Sequence, residues 1–259
     1  MKKSEFLKAL SEIKIGQTRS CLVHVSLIDL GIFTDLKINE LNNFIFNSLK
    51  KFTKKNCTIS TMTPFYEYAD KNREFDIIKS LPSKTIGDFA KFIYLKKKTL
   101  RSSNPLFNIS SVGPLAKKIT LNSTPEDFGY NSPWDNLYKI DTDMIFIGCD
   151  LSRCTFIRFI ENRFHVPYLI KKVFQTKIKS KGKILFENSF SVLRNLNLNV
   201  VYNYKKYQKI LMKKKILRVN SHPKFKIMAL NMKPAFKIGI QQLKKDKYFF
   251  INKQTLKLK

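Results

Sequence analysis

The sequence predicts an α/β fold with a largely parallel or mixed sheet, because candidate strands alternate with candidate helices over about two thirds of the chain. Three apolar runs predict buried strands, at Ser20–Val25, Thr58–Met62 and Met144–Gly148. Residues 4–13 and Asn39–Lys51 have the apolar spacing of amphipathic helices. A sheet covered by helices is therefore the expected architecture.

The sequence pattern changes in the lysine-rich segment 171–218, where many lysines accompany a single acid, Glu187. Within this segment, Lys181–Phe186 and Asn199–Tyr204 are predicted strands. Beyond it, Pro234–Lys244 is predicted to form a closing helix. No long Pro/Gly/Ser-rich linker separates this segment from the rest. Residues 1–259 are therefore predicted to form a single domain, with residues 171–218 as a small lysine-rich elaboration.

The formal net charge of +30 comes from 49 Lys and Arg residues against 19 Asp and Glu residues. Such a charge predicts non-specific binding to polyanions. The lysines are dispersed, however, and no recognisable nucleic-acid motif accompanies them. A dedicated nucleic-acid function is therefore not favoured.

The cysteines and the hydropathy pattern bear on the cellular compartment. Cys21, Cys57, Cys149 and Cys154 form no CxxC pair and mostly lie in apolar segments, which is typical of reduced thiols. The three histidines are too widely spaced to predict a metal cluster. No apolar run approaches the roughly 18–20 residues that span a bilayer, and the N-terminus lacks the apolar core of a secretory signal. The sequence thus predicts a cytoplasmic protein without a metal or a membrane span.

A candidate catalytic pair follows the third predicted strand. Arg158 and Glu161 are spaced i, i+3 on the helix that comes after Met144–Gly148, so they share one face. Open α/β folds place their chemistry beyond the carboxyl ends of the strands. The alternative interpretation is an ordinary surface ion pair, which contributes little. Burial of Glu161 would raise its pKa and suit it to act as a base, but Arg158, one turn away, is expected to lower that pKa instead.

Five segments carry a recognisable series of motifs in chain order. They are Leu22–Leu27, close to "VHxSL"; Pro82–Gly87, "PSxTxG"; Arg101–Pro105, "RSxNP"; Phe128–Pro133, "YGxxSP" with Phe in place of Tyr; and Thr155–Glu161, "TxxHxxE" with Arg in place of His. In this order they resemble the aminoglycoside 3-N-acetyltransferase family, over roughly residues 8–170 and more weakly beyond. The resemblance implies a three-layer α/β/α fold with a mixed central sheet, unlike the GNAT-type acetyltransferases. It also implies acetyl transfer from acetyl-CoA to an amine.

The resemblance also implies which residues contact the pantetheine and diphosphate of acetyl-CoA. These are Ser26, Leu27, Ser83, Lys84, Thr85, Gly87 and Ser132. Ser83 is predicted to be the N-cap of a helix, whose first N–H groups suit a phosphate. The alternatives are ordinary capping for the serines and a solvated side chain for Lys84.

One position departs from the family pattern. The family histidine of "TxxHxxE" is thought to act as general base, but here the residue is Arg158, which stays protonated at physiological pH. Glu161 and His24 are candidate substitute bases, and Asn104 stands where many relatives have histidine and some have asparagine. Three outcomes remain open: Arg158 orients an anionic group on an acceptor that deprotonates unaided, Glu161 or His24 is recruited, or the chain is inactive.

The net charge also bears on the acceptor. A protein at +30 repels polycationic aminoglycosides at long range, although the acids of the 64–82 loop could offset this locally. The net charge therefore favours an anionic acceptor. Residues 154–157 and 243–250 also resemble the branch of the family that is associated with surface polysaccharides. This resemblance implies an amino sugar that is nucleotide-linked or part of a surface polysaccharide, in preference to an aminoglycoside-like acceptor. The alternatives are a catalytically impaired relative that keeps a coenzyme A site and a basic polyanion-binding protein.

Overall fold

The alternation of apolar runs along the chain builds a mixed sheet between helices. The computed structural model describes residues 1–15, 18–121, 123–220 and 222–257. The strands in these residues are β1 (Ser20–Val25), β2 (Thr58–Met62), β3 (Phe75–Asp76), β4 (Leu100–Arg101), β5 (Ile109–Val112), β6 (Asp143–Ile147), β7 (Leu169–Phe174), β8 (Ile178–Ser180), β9 (Lys183–Phe186), β10 (Ser189–Arg194), β11 (Leu217–Val219) and β12 (Ile227–Asn231).

The central sheet has seven strands in the order β11-β12-β6-β1-β2-β5-β4. Strand β1 runs parallel to both β2 and β6, whereas the other pairings in this sheet are antiparallel. The register of β1 and β6 pairs Val25 with Ile147 at their carboxyl ends. The residues that leave these two strands therefore meet at one edge of the sheet.

Helices cover both faces of this sheet. The α-helices of the described residues are α1 (Lys3–Glu12), α2 (Leu27–Leu30), α3 (Leu41–Phe52), α4 (Glu67–Asp70), α5 (Asp88–Leu95), α6 (Ala116–Thr120), α7 (Pro133–Lys139), α8 (Phe156–Phe164), α9 (Lys205–Lys213) and α10 (Met232–Lys245), of which α4 packs in a separate small core. Leu22 of β1 belongs to one apolar core, together with residues of α7, α8, α9 and α10. Its neighbours Cys21 and Val23 belong to a second core, formed with α1, α3 and α5. The predicted three-layer α/β/α fold with a mixed sheet is confirmed.

Most predicted elements match the structure, and one strand does not. Strands β1 and β2 have the predicted bounds, and α10 contains the predicted closing helix. Asn199–Tyr204 forms only an isolated bridge, between Tyr202 and Ile251. The backbone N–H of Asn203 donates to Phe250 and that of Asn252 donates to Val201, but no regular ladder continues from these bonds. The strand prediction there was wrong, because the side chains of this segment pack as a cluster beside α8.

The lysine-rich segment divides into two parts. Strands β7 and β10 form an antiparallel ribbon, and β8 and β9 form a hairpin that pairs with β3. In contrast, Leu211 of α9 and Leu217 of β11 are buried in the first core, and β11 extends the central sheet. Among the described residues, no helix combines the length and the apolar character that crossing a bilayer requires.

Candidate functional site

The carboxyl ends of β1 and β6 form the floor of the candidate site. The N–H of Ser26 donates to the carbonyl oxygen of Ile147 at 2.9 Å. Gly148 follows β6 with a φ of 69°, and a Cβ at this position would lie 2.3 Å from the carbonyl oxygen of Ser26. Only glycine allows this close approach. The start of α2 is therefore held against the turn that leads from β6 to α8.

Arg158 and Glu161 form an ion pair on α8, as their spacing predicted. Arg158 Nη1 lies 3.9 Å from Glu161 Oε2, and the side chains are 18% and 0% exposed, respectively. The hydroxyl of Tyr168 donates to Glu161 Oε1 at 2.7 Å. Within the described chain, Glu161 Oε2 and Arg158 Nη1 have no hydrogen-bond partner. The pair is thus a loose contact between a mostly buried arginine, whose Nη1 is buried, and a fully buried carboxylate.

Tyrosines surround this pair. The guanidinium of Arg158 lies 4.5 Å from the centre of the Tyr202 ring, which stacks on Tyr204 at 5.3 Å. Tyr168 stacks on Tyr248 at 6.1 Å. Contact with an aromatic face stabilises a cation, and it also fixes the plane of the guanidinium. The tyrosines therefore hold Arg158 in one orientation.

Burial determines the proton affinity of Glu161. It raises the pKa of this carboxyl group to about 7, and neither the charge of Arg158 nor the hydrogen bond from Tyr168 offsets it. The prediction that Arg158 would lower the pKa was wrong in its net direction. The physical reason is that the carboxylate loses all of its water, whereas the cation at 3.9 Å makes no hydrogen bond to it.

His24 lies near the end of β1 on the same sheet face as Leu22. Its ring stacks on Phe146 at 5.1 Å, and Nε2 is buried without a hydrogen-bond partner in the described chain. Burial lowers the pKa of His24 to about 4, so the imidazole is neutral near pH 7. No hydrogen bond, ion pair or ring contact of the described residues joins His24 to Arg158 or Glu161.

Asn104 belongs to a separate buried cluster. Its Nδ2 donates to Asp127 Oδ1 at 3.3 Å, and its Oδ1 accepts from the hydroxyl of Ser102 at 2.8 Å. Burial raises the pKa of Asp127 to about 7, although Ser191 and Asn104 favour the ionised form. Asp127 is not among the residues predicted from the sequence. It directly precedes Phe128–Pro133, so extending that motif by one residue would have included it.

This cluster is tied to α8 through the backbone beside Asp127. Asn162, the residue after Glu161, donates from Nδ2 to the carbonyl oxygen of Phe128 at 3.2 Å. The residues that directly follow Glu161 and Asp127 are therefore hydrogen-bonded to each other. The two carboxylates themselves have different hydrogen-bond partners in the described chain.

The segments predicted to hold the coenzyme lie beside the floor of the site. Ser26 donates from Oγ to Asp29 Oδ2 at 2.6 Å, and Leu27 begins α2 half-buried. A Cβ at Gly87 would lie 3.5 Å from the carbonyl oxygen of Val25. Gly87 and Ser26 are thus both placed at the end of β1.

Ser83 is not a helix N-cap, so that prediction was wrong. Helix α5 begins at Asp88, and its N-cap is Gly87. The hydroxyl of Ser83 instead accepts from the N–H of Tyr66 at 2.7 Å and donates to Glu67 Oε2 at 2.5 Å. These partners are distant in sequence, and they fix the loop that precedes α5.

The remaining predicted coenzyme residues differ in exposure. Lys84 and Thr85 are exposed on the loop before α5. Ser132 is buried and caps α7, since its Oγ accepts from the N–H of Asp135 at 3.2 Å. Asp135 in turn pairs with Arg163 of α8 at 2.7 Å. Ser132 therefore fixes α7 against α8.

Comparison with known proteins identifies the family. The sequence model of the family described as aminoglycoside 3-N-acetyltransferase matches residues 22–244. The chain belongs to the aminoglycoside 3-N-acetyltransferase family. The match identifies it as a member of this acyltransferase family. A comparison with the curated proteins finds no match.

Solved structures with similar folds include aminoglycoside acetyltransferases. AAC-IIIb in a binary complex with CoASH has a TM-score of 0.76 and 15% identity, covering 95% of this chain and 97% of that chain. AAC(3)-Xa has a TM-score of 0.78 and 13% identity, covering 95% and 93%. YokD from Bacillus subtilis has a TM-score of 0.74 and 15% identity, covering 94% and 99%. At these identities the structures show a common fold.

Within the aminoglycoside 3-N-acetyltransferase fold, the five sequence motifs fall into two groups. The segments around Ser26 and Gly87 meet at the end of β1, whereas Asn104, Asp127 and Ser132 are tied to α8 by buried contacts. Arg158 stands on the first turns of α8, where the sequence motif of the family has histidine. Arg158, the residue that differs from the family motif, is thus the partly exposed partner of the buried Glu161.

Proposed function

We propose that this chain transfers an acetyl group from acetyl-CoA to the amino group of an anionic amino sugar, such as a nucleotide-linked sugar or a precursor of a surface polysaccharide. The observation that carries the proposal is the Arg158–Glu161 pair. Its arginine is the partly exposed member and is held by Tyr202, whereas the glutamate is buried behind it. A fixed, oriented cation at this position favours an acceptor that carries a negative charge.

The residues near the end of β1 fit the phosphates of acetyl-CoA. No side chain caps the N-terminal end of α5, because its N-cap is Gly87. Uncapped N–H groups at a helix start bind phosphate, and the exposed Lys84 and Thr85 lie just before them. Ser83 would shape this loop through Tyr66 and Glu67 rather than contact the phosphates itself. Ser26, Leu27 and Ser132 would adjoin the pantetheine.

The chemistry requires that the acceptor amine lose a proton. When bound, acetyl-CoA supplies an acetyl group activated as a thioester, whose carbonyl carbon the amine attacks while the thiolate leaves. Arg158 cannot accept the proton, because its guanidinium stays charged. Glu161, with a pKa of about 7, is matched to the task near neutral pH, whereas His24 is a weaker base with a pKa of about 4. Glu161 is therefore the preferred base.

The Glu161 side chain is fully buried, and its ion-pair partner Arg158 is 18% exposed, so an acceptor would approach Glu161 beside Arg158. An anionic group on the acceptor that binds the Arg158 guanidinium would weaken the 3.9 Å ion pair and so raise the pKa of Glu161. Arg158 would thus bind the acceptor, and its neutralisation would strengthen Glu161 as a base. Tyr168 would keep the carboxylate in position from its other oxygen.

The charges of the chain also oppose a polycationic acceptor. Structures of the relative AAC(3)-IVa hold a gentamicin and apramycin, each in a histidine-to-alanine mutant. In the 64–82 loop, Lys179 neutralises Glu74, whereas Glu67, Asp70 and Asp76 form no ion pair among the described residues. These acids attract a cation locally, but the net charge of +30 repels a polycationic aminoglycoside at long range.

The second candidate is a catalytically impaired relative that keeps the coenzyme site. In the described residues, no hydrogen bond, ion pair or ring contact joins His24 to the Arg158–Glu161 pair, which favours this candidate because His24 then does not replace the missing base. The third candidate is a protein that binds polyanions without catalysis, because its net charge of +30 attracts them.

Two measurements test the proposal. Calorimetry with acetyl-CoA at moderate and high salt should show salt-resistant binding near micromolar affinity, whereas ATP should bind weakly and lose affinity with salt. Thiol release should then be followed with nucleotide-linked amino sugars, neutral amino sugars and aminoglycosides. We expect turnover with the nucleotide-linked sugars. Coenzyme binding without turnover on any acceptor would favour the impaired relative, and salt-sensitive binding that ATP matches would leave only polyanion binding.

A further inference from the structure

The hairpin of β8 and β9 has a solvent-exposed turn and outer strand. Residues 181–185, Lys-Gly-Lys-Ile-Leu, are five consecutive exposed residues. Lys181 and Gly182 form the turn with positive φ angles of 50° and 77°. Ile184 and Leu185 are 45% and 46% exposed, although successive residues of a strand point to opposite faces. Both faces of β9 are therefore partly open to solvent.

In the described chain, the hairpin joins the rest of the protein through β8 and through Phe186 at the end of β9, which packs against a small core. Strand β8 pairs with β3 on one side and with β9 on the other, so β9 is the outer strand of this three-stranded sheet in the described chain. Ile178 of β8 is buried in a small core with Phe75. The base of the hairpin is thus fixed, and its outer strand projects.

The charged residues on and before the hairpin are all lysines. Residues 169–186 contain six lysines and no acidic residue. Lys171 pairs with Glu126 and Lys179 pairs with Glu74. Lys177, Lys181 and Lys183 are exposed, and no ion pair of the described chain involves them. Two exposed aliphatic side chains are therefore bordered by unpaired cations.

We propose that this hairpin docks on an anionic lipid bilayer, with Ile184 and Leu185 at the boundary of the acyl chains and Lys177, Lys181 and Lys183 on the headgroup phosphates. Charge complementarity favours an anionic surface, and the aliphatic pair favours lipid over nucleic acid. Nucleic-acid surfaces typically add arginine or aromatic side chains for base contacts or stacking, and residues 177–185 contain neither.

Vesicle binding tests this proposal with matched variants. The wild type should co-sediment with phosphatidylcholine vesicles that contain about 30% phosphatidylglycerol, and not with phosphatidylcholine alone. Lys181→Gln/Lys183→Gln should lower the partition coefficient roughly 25-fold, about fivefold for each lysine. Ile184→Ser/Leu185→Ser should lower it about tenfold without any change of charge.

The control removes equal charge from an equally exposed site. Lys213 and Lys214 lie at the end of α9 beside Met212, which is 46% exposed. Lys213→Gln/Lys214→Gln and Met212→Ser should each change the partition coefficient by about threefold or less. Calorimetry with acetyl-CoA should give the same affinity for all variants, which verifies folding independently of docking.

Three results would overturn the proposal. The first is an equal loss in the α9 control, which would mean diffuse attraction by the net charge. The second is wild-type binding by Ile184→Ser/Leu185→Ser together with hairpin-dependent binding to duplex DNA, which would indicate a nucleic-acid surface. The third is no binding to anionic vesicles at physiological salt.

Discussion

Glu161 and Asp127 are both fully buried carboxyl groups with a pKa of about 7, but their surroundings differ. Glu161 lies 3.9 Å from a partly exposed cation and accepts one hydrogen bond from Tyr168. Asp127 accepts from the neutral amide of Asn104 and has no ion pair in the described chain. The two carboxyl groups thus have a similar pKa in different settings. Glu161 is paired with a partly exposed cation, whereas Asp127 is enclosed within the core.

These different surroundings suit Glu161 and Asp127 to different roles. A base has to exchange protons with a substrate, which requires a path to the surface, and only Glu161 has a partly exposed partner in Arg158. Asp127 is enclosed by Asn104 and by strand β10, whose Phe190 carbonyl accepts from the N–H of Asp127. We therefore propose that Glu161 accepts the proton and that Asp127 has a structural role.

The largest expected effect is on catalysis. Glu161→Gln keeps the shape of the side chain and removes the base, so kcat with the preferred acceptor should fall about 10²- to 10⁴-fold. The affinity for acetyl-CoA, measured by calorimetry, should not change. Asp127→Asn serves as the matched variant and should keep kcat within about tenfold at pH 7. If both variants lost activity equally, the distinction between the two carboxyl groups would be wrong.

The next effect is on stability as a function of pH. Burial raises the pKa of Asp127 above its unfolded value, so the neutral form stabilises the folded state below about pH 4, and this contribution is lost as the pH rises through about 7. At about 1.4 kcal/mol per pKa unit, the loss is a few kcal/mol.

Asp127→Asn should remove that part of the pH dependence. Urea unfolding between pH 4 and 8 should show a smaller decrease in the free energy of unfolding for the variant than for the wild type. Glu161 contributes with the same sign in both proteins, so the difference isolates Asp127. Parallel curves would show that Asp127 does not titrate in this range.

Arg158→Ala should raise the KM of an anionic acceptor about 10- to 100-fold, because a charge-assisted hydrogen bond is lost. It should also shift the pH dependence of kcat/KM upward, since the Arg158 charge lowers the pKa of Glu161. Arg153→Ala, an exposed arginine on the turn before α8, is the control and should leave both quantities unchanged. An unchanged KM in Arg158→Ala would remove this residue from acceptor binding.

Tyr168→Phe tests the smallest contribution. It removes one hydrogen bond to Glu161 Oε1, worth about 1 kcal/mol, and should reduce kcat about fivefold. The hydrogen bond lowers the pKa of Glu161, so the kcat profile should shift to higher pH. Tyr204→Phe removes a hydroxyl that makes no hydrogen bond to Glu161 in the described chain, and its profile should match the wild type. Identical profiles for both variants would exclude a positioning role for Tyr168.

The sequence predicts local features of this protein well and non-local ones poorly. The bounds of β1 and β2 and the pairing of Arg158 with Glu161 follow from apolar runs and helical spacing. Ser83 was misplaced because its hydroxyl binds Tyr66 and Glu67, which are 17 and 16 residues away. The pKa of Glu161 was misjudged because burial by other elements is invisible to the spacing of charges along one helix.

The central claim is that Arg158 selects an anionic acceptor, and Arg158→His tests it most directly because it restores the residue of the family motif. The measurement is kcat/KM with acetyl-CoA for a nucleotide-linked amino sugar and for an aminoglycoside, in the wild type and the variant. The account predicts that the wild type prefers the nucleotide-linked sugar and that the variant lowers this preference by about 100-fold. The same preference in both proteins, or a wild type that prefers the aminoglycoside, would contradict it.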